Sequence, residues 1–415
     1  MAPGVYWKMT GMLLSGTLIS LTAKLMYSVS SVGVDPKPHT FRKPWCLTWF
    51  MFGSMLVCGP VLLSVNRRQR KRARAFGGSL FMNGEAVPLL AKNMEGSMRG
   101  MRAFRSNDRR VLLCVVPALA DVAATALLLN GLLFTSVSVS QLLRGAELVF
   151  CAIFTVIFLR KLDYLQCIGL LVTWCGIVLV GLSSYFAPAS TVERQRDVVG
   201  ISLIVLSQVA LATQVVIEEF LLKGLDLMPL QLVSWEGLFG FSMCTLIALP
   251  VVYLLPGSDV GGRMEDTIDS LLMLKNSWKL IGIEIVDTFG AFTYNFFAMC
   301  VVQELSALHR TLLEALRTVI VWILDLALYY VFTSQTLGEP WTRTSWIQVM
   351  GFVVMITGTY VFNRADSYED DFASRLLPDG PSSSASSIMV NPDQSALPSS
   401  NTSPHHTTTH PSPTT

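Results

Sequence analysis

Apolar residues along the chain gather into ten runs: 8–29, 44–65, 111–133, 138–159, 164–184, 198–220, 229–254, 280–302, 306–332 and 345–363. Each is near the length, about 20 residues, that a helix needs to cross the hydrocarbon core of a bilayer. Short polar connectors separate most of them. Open sheet is excluded in lipid, where every backbone polar group must bond within its own segment or a closed barrel. The pattern predicts an all-α integral membrane protein of ten transmembrane helices. Met9–Val29 is too long for the apolar core of a signal peptide, and no small-residue cleavage site follows it. It is therefore expected to be the first spanning helix.

Two stretches break the pattern. Residues 66–110 are basic and open with Arg67, Arg68, Arg70, Lys71, Arg72 and Arg74. Residues 365–415 are rich in Ser, Thr and Pro and are expected to form a disordered tail. The 66–110 loop alone holds 12 Lys and Arg, more than all the odd-numbered loops together. Basic loops stay cytoplasmic, so this loop, the tail and both termini are expected in the cytosol. The run of arginines is a solvated flank of the second helix, or a contact for anionic headgroups.

Composition agrees. Hydrophobic residues make up 52% of the 415-residue chain and charged ones 14%, against roughly 25% charged in soluble proteins. A net charge of +2 gives no footprint for nucleic acid. All eight cysteines fall in or beside apolar runs and read as small buried hydrophobes. None has the spacing of a zinc site, and neither a metal nor a cofactor is expected.

A weak duplication runs through the chain. Gln166-x-x-Gly169 with Gly176 opens the fifth run, and Gln348-x-x-Gly351 with Gly358 opens the tenth. Asp121 precedes Asn130 in the third run as Asp287 precedes Asn295 in the eighth. Leu143-Arg144-Gly145 in the fourth run answers Leu316-Arg317-Thr318 in the ninth. The offsets of 166, 165, 173 and 182 keep chain order. A unit of five helices is odd, so two copies in one chain insert in opposite orientations, an architecture of secondary transporters. The expected division is 1–184 as the first repeat, carrying loop 66–110, then 185–364 as the second and 365–415 as the tail. The paired glycines share a helical face and are expected to pack helices closely.

Charged residues inside spans are costly and usually functional. In the ninth run Arg310, Glu314, Arg317 and Asp325 share one face. The fourth carries Gln141, Arg144 and Glu147 at steps of three. Asp121, Asn130, Glu236, Glu284, Asp287 and Asn295 complete the set. Arg310–Glu314, Glu314–Arg317 and Arg144–Glu147 can neutralise one another as purely structural pairs. Lys24, Glu218 and Glu219 lie near predicted helix ends, where side chains snorkel to water. Asp121 and Asp287 have no opposite charge on their own helices, which points to a proton or cation role in a cavity. His309, near a helix start, is expected to be a hydrogen-bonded interfacial residue.

Several stretches carry a resemblance. Val216-Ile-Glu218-Glu219-Phe220, Glu236-Gly237-Leu238-Phe239-Gly240-Phe241, Gln303-Glu304-Leu305-Ser306-Ala307 and Leu316-Arg317-Thr318-Val319 with Trp322 resemble the F subfamily of solute carrier family 35. Pro117-Ala118-Leu119-Ala120-Asp121 and Gln141-Leu142-Leu143-Arg144-Gly145 fit it as well. The likeness covers roughly 8–363 and is to the subfamily's lysosome-associated type, within the EamA-like drug/metabolite transporters. It implies a ten-helix fold of inverted five-helix halves and alternating access. Nucleotide-sugar carriers of the wider family bear a Lys motif near the ninth helix. Arg310, Glu314 and Arg317 stand there instead, against that solute class.

The expected function is secondary transport of a small polar or charged solute across an internal membrane, with a proton as coupling ion. Its site would be lined by helices 1, 3, 4, 6, 8 and 9. The expected substrate-binding residues are Asp121, Asn130, Gln141, Arg144, Glu147, Glu236, Asp287, Asn295, Arg310, Glu314 and Arg317. The alternative is a non-transporting scaffold. An enzyme is not expected: His309-x4-Glu314 is an isolated pair, and no Gly-x-Ser-x-Gly elbow is present. Glu85-Ala-Val-Pro-Leu89-Leu90 fits an acidic dileucine sorting pattern, in keeping with a lysosomal or endosomal location. The expected partners are the solute, membrane lipid and protons, with no nucleic acid. Solute identity, direction of transport and oligomeric state are not legible.

Overall fold

The computed structural model describes residues 3–64, 67–68, 109–132, 134, 143–185, 197–225, 227–257, 259–332 and 341–376. Contacts divide the chain into Met1–Pro378 and Asp379–Thr415. The second unit, most of the basic stretch, the Glu85–Leu90 pattern and Gln141 lie outside the described residues.

Helices dominate. Their ends follow local chemistry. α1 is Pro3–Ser28. α2 (Pro44–Leu56) opens on proline, whose missing N–H would be unpaired in the first turn anyway. α3 (Val115–Leu132), α4 (Ala146–Phe158), α5 (Tyr164–Tyr185) and α6 (Asp197–Glu219) follow. α7 (Pro229–Met243) again begins with proline. It passes through a wide π turn, Cys244–Ala248, into Leu249–Leu254. Pro250 explains the widening, because it has no N–H for the normal ladder and its ring crowds the preceding turn. Ser277 caps α8 (Trp278–Glu304) and Ser306 caps α9 (Ala307–Ala327). Their hydroxyls accept from Leu280 N at 3.4 Å and His309 N at 3.3 Å. α10 runs from Ser345 to Leu376, well past the end of the tenth apolar run.

Eight helices among the described residues are long and apolar enough to cross a membrane. They include α1, α2 extended to Ser64, α3 from Val111, α5, α6, α7, α8 and α10 to Ala365. The other two apolar runs correspond to α4 and α9. α4 is apolar but has only 13 residues. α9 extends by a π turn to Phe332 and carries four charged side chains, Arg310, Glu314, Arg317 and Asp325.

The helices pack in antiparallel pairs. Along α5 and α10, Gly169 lies against Phe362, Gly176 against Met355, and Gly351 against Val180, so numbers fall on one helix as they rise on the other. α3 and α6 pair through Gly131 on Ile204. α1 and α8 pair through Gly11 on Phe297 and Gly290 on Leu18. α2 and α7 pair through Gly237 on Met55 and a Trp49–Phe241 stack of 5.2 Å. α4 runs along α9, with Cys151 opposite Thr311 and Arg144 near Arg317. A Cβ on Gly176 would lie 2.7 Å from the Gly351 carbonyl oxygen, and one on Gly351 would lie 2.9 Å from that of Gly176. The two glycine pairs of the duplication thus face each other. With no water-driven burial between helices in lipid, close van der Waals approach is the main source of attraction.

Large apolar side chains face outward, among them Leu14, Leu246, Phe289 and Val331. Of the eight cysteines six are buried, but Cys167 and Cys175 are exposed on the outside of α5, contrary to the expectation of burial. An apolar residue gains nothing by leaving a hydrocarbon solvent, so a cysteine in a span has no drive toward the interior.

Substitution Gly176→Ala is expected to force α5 from α10 and cost about 1–3 kcal/mol. Gly282, on α8, has open space for 4 Å around the place a methyl group would take, and Gly282→Ala is expected to leave stability unchanged or slightly raised. Thermal unfolding of the purified variants in detergent reads both.

Candidate functional site

The sharp bend at Leu305-Ser306 turns α8 back into α9, and the first two turns of α9, Ala307–Leu313, are wholly buried. Arg310 therefore enters the protein interior at the level where α3, α6 and α7 converge. It is ion-paired there with Glu218 of α6, whose side chain is 0% exposed. Gln214, one turn earlier on α6, donates to the other Glu218 oxygen at 2.8 Å. Asp121 of α3 also bonds Gln214 and lies in the field of Glu218 and Arg310. Glu236 of α7 completes this tier, beside Glu218, Asp121 and Arg310. It is 2% exposed, and its Oε1 has no hydrogen-bond partner among the described residues.

A second tier lies one to two turns farther along α9. Glu314 accepts from the Tyr294 hydroxyl of α8 on one oxygen and pairs with Arg317 at 2.9 Å through the other. The Arg317 guanidinium sits 5.6 Å from the Tyr294 ring centre. It fits because α1 has glycine at position 16, where a Cβ would come within 2.8 Å of it. Arg144, just ahead of α4, and Glu147, in its first turn, face this tier. Arg144 lies among Arg317, Glu147 and Glu314, and Glu147 lies among Glu314, Arg310, Arg144 and Arg317. Arg144 keeps solvent-accessible surface. Across the two tiers five carboxyl groups face three guanidiniums.

Seven of the expected site residues thus come together: Asp121, Arg144, Glu147, Glu236, Arg310, Glu314 and Arg317. Three stand apart. Asn130 and Asn295 donate to carbonyls of their own helices, Ala126 O at 2.8 Å and Ala291 O at 2.9 Å. Asp287 accepts from Thr22 of α1, near Glu284. Of the three local pairs foreseen, Glu314–Arg317 forms, Arg310 turns to Glu218 instead of Glu314, and Arg144–Glu147 does not close. His309 is buried and bonded to Ser306 Oγ at 2.8 Å through its Nδ1.

Glu218 and Glu219 do not reach water. α6 continues past them through Phe220–Gly224, which places both in the interior. Glu219 accepts from Ala307 N at 2.8 Å, charging the start of α9, and from Lys223 at 2.8 Å. Glu218 was therefore missed as a central residue, although the apolar residues after it foreshadow the longer helix. Lys24 is partly exposed and pairs with Asp325 of α9.

A third polar locus lies outside the spans. The hairpin of β1 (Ser30–Ser31) and β2 (His39–Thr40) meets the segment leading into the short helix Thr267–Lys275. Lys43, 1% exposed, holds Asp259 at 2.5 Å and Asp269 at 2.7 Å. Asp269 also accepts from Val34 N at 2.7 Å and pairs with His39 at 2.9 Å. Glu265 receives Trp45 N and Cys46 N at 2.9 and 2.8 Å, closing the start of α2. His39, Asp259 and Asp269 have metal-ligand chemistry and lie close together, but the Lys43 ammonium already serves as cation to both aspartates. Burial opposes the charge of Asp269, yet its bonds from Lys43, Val34 N and His39 outweigh this and lower its pKa. Burial likewise opposes charge on Lys43 and His39, and their carboxylate partners outweigh it and raise both. Burial pushes Glu265 up to about 7, against the pull of its two backbone donors.

Relatives match this frame. Solute carrier family 35 member F6 of Homo sapiens and that of Pongo abelii are each 31% identical over 359 residues, spanning 85% of this chain and 86% of theirs. The chain belongs to the F subfamily of solute carrier family 35. It is therefore an integral, multi-pass membrane transporter. An uncharacterized protein of Schizosaccharomyces pombe is 28% identical over 254 residues, 60% of this family 35 chain and 72% of its own. No family model matches. A solved structure titled only as the crystal structure of a protein shares the fold, with a TM-score of 0.53 at 12% identity, covering 91% of this chain and 100% of its own.

In this family 35 member, removing one partner of the buried pair is expected to be costly. Arg310→Met leaves Glu218 without its counter-ion and should lose about 3–5 kcal/mol, with Arg310→Met combined with Glu218→Gln recovering part of it. The outer locus sets a pH dependence. His39 and Glu265 bind protons more tightly folded than unfolded, so their contribution is full at low pH and fades as pH rises through their folded values, about 7 for Glu265. Asp269 acts oppositely and is lost only in stronger acid. The unfolding temperature is expected to rise as pH falls from about 8 to about 5, and Glu265→Gln to flatten that rise.

Proposed function

We propose that this protein is a proton-coupled secondary transporter that carries a small polar solute by alternating access. The carrying observation is the cluster in which five carboxyl groups share three guanidiniums inside the helical body. Fully ionised, such a set is too negative for a poorly solvated interior, so protons or a cationic group must complete it. Glu236, buried with an oxygen that has no donor among the described residues, is the carboxyl best placed to exchange a proton. Asp121, Arg144, Glu147, Arg310, Glu314 and Arg317 are the solute-facing set, with Asn130, Gln141, Asp287 and Asn295 as lesser candidates.

The rocking bodies are two inverted five-helix repeats, α1–α5 and α6–α10, all ten crossing the membrane. The pairings support this reading. A rotation that exchanges each helix with the one five places on turns α2–α7, α4–α9 and α5–α10 into themselves and α1–α8 into α6–α3. The self-paired helices are antiparallel, so an axis relating them lies across them, in the plane of a bilayer. Arg310–Glu218 then lies within the second half, while Asp121, Arg144 and Glu147 come from the first. The basic 66–110 stretch favours the cytosol for that loop and both termini. The Lys43–Asp269 locus then faces the lumen. There its stabilisation by acid, together with Glu85–Leu90, favours a lysosomal or endosomal membrane.

Purified protein in liposomes containing a pH-sensitive dye tests the coupling. Pools of small polar metabolites are expected to drive a lumenal pH change that Glu236→Gln abolishes while leaving the unfolding temperature within a few degrees. Solute uptake with no accompanying proton flux, unaltered by Glu236→Gln, overturns proton coupling; no flux of any solute overturns transport.

A further inference from the structure

Arg144 stands two residues before α4, across the turn at Gly145, and Glu147 is in the first turn of α4, three positions apart as opposite charges that pair often are. They do not pair. Neither makes a hydrogen bond or ion pair with a described residue, although both face the second tier of charges. On the opposite helix the situation is reversed. Glu314 has one oxygen taken by Tyr294 and the other by Arg317, so that pair is closed. α9 thus offers one satisfied ion pair, and the start of α4 offers one open guanidinium and one open carboxylate.

The surrounding field selects what these two groups can take. Arg144 has Arg317 as a like-charged neighbour, which an anionic group placed against Arg144 would relieve. Glu147 has Glu314 as its like-charged neighbour, which a cationic group against Glu147 would relieve. A purely anionic solute satisfies Arg144 but meets two carboxylates. A purely cationic solute satisfies Glu147 but meets two guanidiniums. Only a molecule carrying both signs a few ångströms apart meets neither repulsion. A carboxylate also suits the planar fork of an arginine, which gives two parallel charge-assisted bonds.

We propose that Arg144 and Glu147 form a two-pronged site for a zwitterionic amino compound, an amino acid or short peptide. Its carboxylate lies on the Arg144 guanidinium and its ammonium on the Glu147 carboxylate. This rests on the transport reading and specifies its substrate class. Arg317 and Glu314 act as the outer charges that exclude singly charged solutes. Gly16 is the clearance that keeps Arg317 in place.

The test uses the full chain in detergent, with the unfolding temperature and direct binding measured against a panel of free amino acids and the dipeptide leucyl-leucine. Each hit is compared with its own deaminated acid and its own decarboxylated amine. At least one zwitterion is expected to bind saturably, and both matched analogues to bind at least about tenfold more weakly. Arg144→Gln should cost at least about tenfold for the zwitterion, with Arg144→Lys retaining part of the affinity. Glu147→Gln should erase the preference for the zwitterion over its deaminated acid. Arg144→Lys also serves if Arg144→Gln fails to fold. Binding of a deaminated acid or an amine as tightly as its parent, or no binding by any panel member, overturns the proposal. Zwitterion binding without flux in liposomes keeps this site and defeats the transport reading. Flux of a solute of one charge sign, with no zwitterion bound, does the reverse.

Discussion

Everything in this fold answers to the pairing of Arg310 with Glu218 in a place without water. An ionised group costs several kcal/mol to bring into such an interior, and the cost is offset only if a partner and further hydrogen bonds are already in position. The structure meets that condition with side chains from separate helices: Glu218 from α6, held in turn by Gln214, and Arg310 from the buried start of α9. The pair draws Asp121 and Glu236 into its field. Three carboxyls thus gather around one guanidinium in this tier.

Such a pair needs a frame that does not open to lipid. Glycines supply it where helix backbones touch, above all along α5 and α10. Serine and threonine hydroxyls in the helices return their hydrogen bonds to carbonyls one turn back, as Ser15 does to Gly11 O at 2.6 Å and Thr173 to Gly169 O at 2.9 Å. Those groups stay satisfied without water and leave the interhelical surface smooth. Close packing and charge burial thus divide the helices between them. α5 and the Ser345–Ala365 part of α10 hold the body together with a single charge, Arg364, while α9 and the start of α4 carry the charged side chains. The outer hairpin adds a second electrostatic tie, from Lys43 at the start of α2 to Asp259 and Asp269 ahead of α8.

Much of this was legible in the order of residues. Runs of apolar side chains identify spans because length and hydropathy alone decide whether a helix can cross a bilayer. A residue such as Arg310 or Glu236 stands out there because lipid tolerates it only in the interior. The family was legible for the same reason, since its motifs sit at those constrained positions. Partner choice was not. Arg310 has Glu314 one turn away, yet bonds Glu218, 92 positions earlier in the chain. Arg144 and Glu147 have the spacing of a pair and stay apart.

The sequence by itself determined that the chain lives in a membrane, roughly where its helices run, and which side chains had to be shielded, because hydropathy and charge are properties of each residue. Only the tertiary structure decided which carboxylate meets which guanidinium, that Glu218 and Glu219 are sequestered rather than wet, and that Asp287 takes its bond from Thr22 of α1. Those outcomes depend on how far a helix continues and which helix crosses it. Such long-range geometry is set by packing, not by neighbours along the chain.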